Sequence, residues 1–225
     1  MSVLGLVPCR GGSKGIPRKN VREVAGEPLL AHTVRASRDA DHVDRTVVST
    51  DDAEIKEAAL EAGAEVPFDR PAELATDEAL IEPVIEHAVE WLREHEGETY
   101  DTIALLQATA PLRTAEHVDE AVATYEAEDA DSLVAVSEGD SYRWRETPDG
   151  AEIVNYDSRK RRQEKEPEYV ESGALYLVDT DLFLETGDLQ AGKTALSVLD
   201  RVSALDIDEP FELWMADEIL SEWRT

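Results

Sequence analysis

The run Val3-Leu4-Gly5-Leu6-Val7-Pro8-Cys9-Arg10-Gly11-Gly12-Ser13-Lys14-Gly15-Ile16-Pro17-Arg18-Lys19-Asn20 joins an apolar stretch directly to a glycine-rich, cationic one. Val3–Val7 reads as a buried first strand, since a nearly unbroken aliphatic run suits a strand covered on both faces. After it, Arg10, Lys14, Arg18, Lys19 and Arg22 fall within 13 residues, in a chain with 22 Lys+Arg against 51 Asp+Glu and a formal charge of −29. So acidic a chain that gathers cations on one glycine-rich turn is built there to hold a polyanion. Gly11, Gly12 and Gly15 let backbone N–H groups approach phosphate oxygens, and Lys and Arg neutralise the charge. The spacing is neither G-x-x-x-x-G-K-[ST] nor G-x-G-x-x-G. Two lysines suit the charge of a nucleoside triphosphate better than that of a dinucleotide, and suit stabilisation of a pyrophosphate leaving group. A surface turn with incidental charge is the bland alternative, and the buried strand before it argues against that.

Working outward, apolar runs of strand length alternate with segments of helical period. This pattern predicts a mostly parallel sheet flanked by helices, an α/β fold. Expected strands are Val3–Val7, Arg45–Ser49, a short one near Glu65–Phe68, Thr102–Leu106, Ser132–Val136, Ala174–Val178 and Val202–Ile207. Expected helices are Leu29–Arg38 behind Pro28, one capped by Asp51 or Asp52 and ended by Gly63, Ile81–His95, one from Thr114 to about Tyr125, and Pro210–Trp223. The alternation breaks over residues 138–170. That segment is polar, contains a Pro148-Asp149-Gly150 turn, and holds a second basic cluster: Arg143, Arg145, Arg159, Lys160, Arg161, Arg162 and Lys165. It reads either as a solvated arm or as a flap over an anionic ligand, in its own subunit or a neighbour. The rest of the 225 residues read as a single domain.

Composition narrows the function classes. The negative body disfavours nucleic acid. No apolar run reaches the roughly 20 residues of a membrane span, and no signal sequence is evident, so a cytoplasmic location without a membrane partner is expected. Cys9 is the one cysteine and is expected to pack at a strand end. The acidity is spread along the helices, and 6 Lys against 16 Arg suggests a salt-adapted, halophilic surface rather than a basic partner.

Two further constellations carry chemistry. Asp206 and Asp208, two residues apart, can point the same way and hold Mg2+, which prefers one or two carboxylates plus phosphate oxygens and water. Gln107, in the run Leu106-Gln107-Ala108-Thr109-Ala110-Pro111-Leu112-Arg113-Thr114, sits where a central strand meets the next helix, the ligand-bearing edge of such a sheet. Ser49-Thr50-Asp51-Asp52 falls at the same edge, where capping explains it as well as ligand binding does.

With these residues in hand, the chain resembles the acylneuraminate cytidylyltransferases, or CMP-sialic acid synthetases. The resemblance rests on the loop at 10–20, V-S-T-D at 48–51, R-P-A-E-L-A at 70–75, the run at 106–114, S-G-A-L-Y at 172–176 and D-I-D at 206–208. It implies a Rossmann-like nucleotide-diphospho-sugar transferase fold and a homodimer joined by an inserted arm, residues 138–170. It also implies a reaction of CTP with a nine-carbon 2-keto sugar acid to give a CMP-sugar and pyrophosphate. By matching position, Arg10, Gly11, Gly12, Ser13, Lys14, Lys19 and Asn20 would handle the triphosphate and cytidine. Arg70 and Asp77 would lie on the nucleotide side, Gln107 would contact the sugar, and Arg162 would pair with the sugar carboxylate or phosphate. Asp206 and Asp208 would bind Mg2+, with Asp208, or a metal-bound hydroxide it holds, taking the proton. Glu78-Ala79-Leu80-Ile81 stands where sialic-acid-specific members have small hydroxyl residues, so sialic, legionaminic and pseudaminic acids all stay open. Two other readings are a sugar-1-phosphate nucleotidyltransferase using UTP or GTP, and a non-catalytic nucleotide-binding subunit.

Overall fold

The computed structural model describes residues 1–139, 141–155, 161 and 167–223. The aliphatic first run forms β1 (Val3–Pro8), whose side chains are buried on both faces. A short hairpin, β2 (Glu23–Val24) and β3 (Glu27–Pro28), leads into α1 (Leu29–Arg38). β4 (Arg45–Ser49), α2 (Ala53–Glu61), α3 (Glu82–His95), β5 (Thr102–Leu106), α4 (Ala115–Ala127) and β6 (Ser132–Gly139) follow. A second hairpin, β7 (Trp144–Thr147) and β8 (Gly150–Ile153), turns at Pro148-Asp149. The chain closes with β9 (Glu168–Asp179), α5 (Thr180–Thr186), β10 (Thr194–Leu199) and α6 (Pro210–Glu218).

Six strands form one sheet in the order β10-β6-β9-β5-β1-β4. β1 pairs in parallel with β4 and β5, and β10 with β6, whereas β9 runs antiparallel to both of its neighbours. The sheet is therefore mixed. Leaving β1, the chain goes to β4 on one side and then crosses to β5 on the other, which opens a crevice beyond the carboxyl ends of β1 and β5. One apolar cluster packs α1, α2 and α4 on one face, with Val7, Val34, Ala59, Leu106, Val122 and Leu177 among its members. On the other face α3 and α5 contribute Ile85, Leu92 and Phe183 against Leu6, Leu105 and Val178. A third, smaller cluster joins Ile16 of the loop, Val24, Leu29, Ile207 and Ala216.

Two expected strands are absent. Near Glu65–Phe68 only a single bridge, Val47 to Glu65, is made. Val202–Ile207 is not a strand, because Asp200 accepts from the Val202 and Ser203 backbone N–H groups and from the Ser203 hydroxyl, tying the chain into a turn. The sheet position belongs instead to β10, whose alternation of buried and exposed residues follows a strand period of two. The closing helix is regular to Glu218 and continues as a π-turn over Ile219–Trp223.

The start of α2 shows how local chemistry fixes the loop edge. Asp52 Oδ1 accepts from the Glu54 and Ile55 backbone N–H groups at 3.0 and 3.1 Å, and its Oδ2 pairs with Arg18 Nη1 at 2.5 Å. The Arg18 hydrogen bond, more than the cap, holds the Asp52 carboxyl below its ordinary value. Asp52→Ala should therefore cost about 1–2 kcal/mol, the usual worth of an N-cap, measured by urea denaturation at neutral pH. Because the folded-state pKa is depressed, that stabilisation is present above the unfolded value of 3.8 and is lost as pH falls below it. The gap between wild type and variant should close in that acid range, and a gap that persists there rules the account out.

Candidate active site

The crevice is an open cleft of about 430 Å³ lined by residues that include Arg10, Ser13, Lys14, Lys19, Asn20, Arg70, Asp77, Gln107 and Asp208. The loop closes on the acidic segment from above. Lys19 Nζ donates to the Ile207 carbonyl at 2.5 Å and lies 3.3 Å from Asp208 Oδ1. Gly15 is backed so closely against the Asp208 carbonyl that any Cβ there would collide with it. Ile16 and Ile207, both buried in the third cluster, hold this contact together.

Within the loop the roles divide. Asn20 is buried and donates through Nδ2 to the Arg10 carbonyl at 3.0 Å, so it braces the turn while lining the cleft. The Gly11 N–H is given to Asp51 Oδ1 at 2.9 Å, and Gly11 has no room for a Cβ beside Asp52. Gly12 faces open space. Arg18 stands in a left-handed conformation, φ 58°, and is committed to Asp52 and Glu54. Arg10 and Lys14 share one counter-ion: Asp77 Oδ1 lies 2.9 Å from Arg10 Nη2, and its Oδ2 lies 3.3 Å from Lys14 Nζ. Arg10 Nη1 also donates to the Thr76 carbonyl. Partly exposed pairs of this kind are worth little, so an incoming anion exchanges with them cheaply.

Arg70 is buried behind the loop and donates to Ser49 Oγ at 3.1 Å and to the Ser49 carbonyl at 2.5 Å. Burial lowers its pKa, and nearby Arg10 adds to the effect. Cys9 beside it is fully buried, which pushes the thiol up to about 12 and leaves it unreactive. Across the cleft, Asp206 is half-buried, and its Oδ1 is buried with no hydrogen-bond partner. Burial raises its pKa; Asp208 adds to the rise, while the Thr109 side chain and Lys19 oppose it. Asp208 is largely exposed. Gly173 of β9 completes this wall, where a Cβ would sit 3.2 Å from Gln107 Oε1 and 3.6 Å from Asp206 Oδ2.

The residues singled out in the sequence thus gather at one sheet edge, with three qualifications. Gly11 and Gly12 shape the loop without lining the cleft, Asp206 lies beside Gly173 and is not itself in the cleft lining, and Arg162 lies outside the described residues. Among the described residues no group of three or more His, Cys, Asp or Glu is assembled for a metal ion. Sequence reading singles out Glu78-Ala79-Leu80-Ile81 for its bearing on the sugar, but not that Ala79, Leu80 and Ile81 join Leu74 and Val84 as an apolar wall of the cleft.

Comparisons with known proteins agree with this architecture. A cytidylyltransferase family model matches residues 4–191. N-acylneuraminate cytidylyltransferase A of Danio rerio is 33% identical over 96% of this chain, which covers 50% of that protein. Pseudaminic acid cytidylyltransferase of Campylobacter jejuni is 31% identical over 92% of this chain and 91% of that protein. The chain spans about half the length of the N-acylneuraminate cytidylyltransferases it matches. Among solved structures, a CMP:2-keto-3-deoxy-manno-octonic acid synthetase complexed with CTP superposes with a TM-score of 0.73 at 14% identity, covering 99% of this chain and 100% of that one. The 4-diphosphocytidyl-2C-methyl-D-erythritol synthase of Anaerococcus prevotii superposes at 0.71 with 12% identity, over 98% and 99% of the two chains. At such identities these two speak for the nucleotidyltransferase fold. From its loop, its mixed sheet and the extent of these matches, the chain belongs to the cytidylyltransferase family.

Proposed function

We propose that this chain transfers CMP from CTP to a nine-carbon 2-keto sugar acid of sialic, legionaminic or pseudaminic type, releasing pyrophosphate. The observation that carries this reading is the seating of Gly15 and Lys19 directly on the Ile207–Asp208 backbone, so that cationic loop and acidic segment border one cleft. The names of the N-acylneuraminate and pseudaminic acid cytidylyltransferases supply the substrate class.

The sugar hydroxyl attacks the α-phosphorus in line, forming the new P–O bond as the bond to the β-phosphate breaks. Little covalent work falls to the protein, so positioning and charge neutralisation dominate. Arg10 and Lys14 exchange Asp77 for phosphate oxygens and neutralise the departing pyrophosphate. Lys19, anchored on the Ile207 carbonyl, keeps a positive charge between loop and acidic segment. Gln107, on the opposite wall, reads a polar group of the sugar. Asp206 and Asp208 fit a hard divalent cation: one offers a buried oxygen that lacks a partner, the other an exposed carboxylate. A bound Mg2+ supplies phosphate-charge neutralisation and a lower pKa for the attacking hydroxyl. Asp208 receives the proton that this hydroxyl loses.

The arm makes this chain a homodimer in the same proposal. Exposed Trp144 on β7, Ile153 at the end of β8, Val154 just after it and Val170 on β9 support that reading, because large apolar side chains left in solvent along this excursion suit a partner surface. Sedimentation equilibrium should return twice the chain mass of 24.9 kDa at micromolar concentration, and a pure monomer sinks the dimer.

Incubation with Mg2+, each of the four ribonucleoside triphosphates and a panel of nine-carbon keto acids tests the reaction. Pyrophosphate should appear only with CTP plus a keto acid. Preference for UTP or GTP with a sugar 1-phosphate points to the other nucleotidyltransferase reading, and CTP binding without turnover on any keto acid points to a non-catalytic subunit. Asp208→Asn should lower kcat by about 100-fold or more while the far-ultraviolet circular dichroism stays unchanged, the scale of losing one directed charge in an active site. Turnover within about threefold of wild type removes Asp208 from that role.

A further inference from the structure

We infer that Arg113 is a positioning residue for the sugar-acid half of the site, acting through Gln107; this rests on the reading above that Gln107 faces the sugar. Arg113 heads the fully buried side chains by size, with 2% of its surface exposed. The antiparallel ladder between β5 and β9 ends at the pair Leu106 and Leu175. The next pair in that register is Gln107 and Ala174, and the guanidinium stands in for the ladder there. Its Nη1 donates to the Ala174 carbonyl and approaches the Gln107 carbonyl at 3.5 Å. Thr33 Oγ1 donates to the same Gln107 oxygen at 3.3 Å. The Gln107 main chain is thus held from two sides, while its side chain lies over Gly173, where a Cβ would be 3.2 Å from Oε1, next to Asp206.

A role in stability alone accounts poorly for this residue. Its Nε and Nη2 are buried with no hydrogen-bond partner, and no salt bridge to Arg113 is formed among the described residues. Burial alone pulls its pKa down to about 9. A buried cation without a counter-ion is expensive. Such departures from local consistency concentrate where function requires them. Here the requirement is a rigid, planar cation whose Nη1 bridges the Ala174 and Gln107 carbonyls, at the point where two strands part around a ligand wall.

The test measures kcat and KM for CTP and for N-acetylneuraminate, with pseudaminic acid as a second acceptor, in wild type, Arg113→Lys, Arg113→Met, Gln107→Ala and the Arg113→Met/Gln107→Ala double variant. Calorimetric titration with CTP gives nucleotide affinity independently of turnover. Arg113→Met should reduce kcat/KM for the keto acid by about 10- to 100-fold, as a misplaced binding group does, with CTP affinity within about threefold of wild type. Arg113→Lys should recover part of that loss. The double variant should be no worse than Gln107→Ala alone within about twofold, since residues acting as one unit are not additive. Additive losses, or equal losses toward CTP and keto acid, overturn the inference. Where Arg113→Met does not fold, Arg113→Lys decides by the same split between substrates. A wild-type protein inactive toward both acceptors and toward legionaminic acid overturns the proposed function; an active wild type with uniform losses in the variants overturns this inference alone.

Discussion

The site depends on a small apolar cluster that joins two segments nearly 200 residues apart in sequence, through Ile16 of the cationic loop and Ile207 of the acidic segment. Both are buried, together with Val24, Leu29 and Ala216. Glycine-rich loops are entropically costly to order, and a row of five cations gains nothing by self-association. Burying two isoleucines, on the order of 1.5–3 kcal/mol each, gives the loop one docked position. That position decides everything polar around it: Gly15 must lack a side chain to lie on the Asp208 carbonyl, and Lys19 then reaches Ile207 and Asp208 together. Charge alone would draw loop and carboxylates together in many arrangements; the isoleucine pair selects one.

Electrostatics then works on two scales. Over the whole surface a charge of −29 repels anions, including the substrates of the proposed reaction. Within the cleft Arg10, Lys14 and Lys19 reverse the sign locally, and Asp77 keeps the first two paired. The exchange of Asp77 for phosphate happens at a partly exposed place, where both states are close in free energy. The buried charges behave differently. Arg70, in the cleft lining, donates to the Ser49 carbonyl and hydroxyl, and the fully buried Arg113 donates to the Ala174 carbonyl; both fix main-chain geometry rather than meeting solvent.

The sequence made the central strands plain. β1, β4 and β5 and helices α1 and α3 carry unbroken aliphatic runs or clean helical periods, and their observed limits fall within one or two residues of the expected ones. The loop was equally legible, since cations in an acidic chain have few other uses. The features that escape the sequence do so for separate reasons. Val202–Ile207 has the composition of a strand, but Asp200 captures its first donors, and a turn made by one carboxylate leaves little trace in hydrophobic pattern. β10 was passed over because Thr194, Leu196 and Val198 face outward on an edge strand. The reversed direction of β9 could not be read from its residues, since a strand buried on both sides looks the same whichever way it runs. Arg113 stood in a quoted motif without a role because nothing in a sequence marks an arginine as buried.

That reversal has a consequence for how this chain can change. β6 and β9 are paired to their ends, with Gly139 opposite Glu168, so the excursion carrying β7 and β8 leaves and re-enters the sheet at touching points. For a segment already closed at its base, each doubling of length costs only about 0.6 kcal/mol more in closure entropy. The sheet therefore offers a graft point: outgrowths there can be lengthened, trimmed or rewritten without re-registering a core strand. A lineage could diversify its outer contacts at this junction without re-registering the strands that carry the cleft.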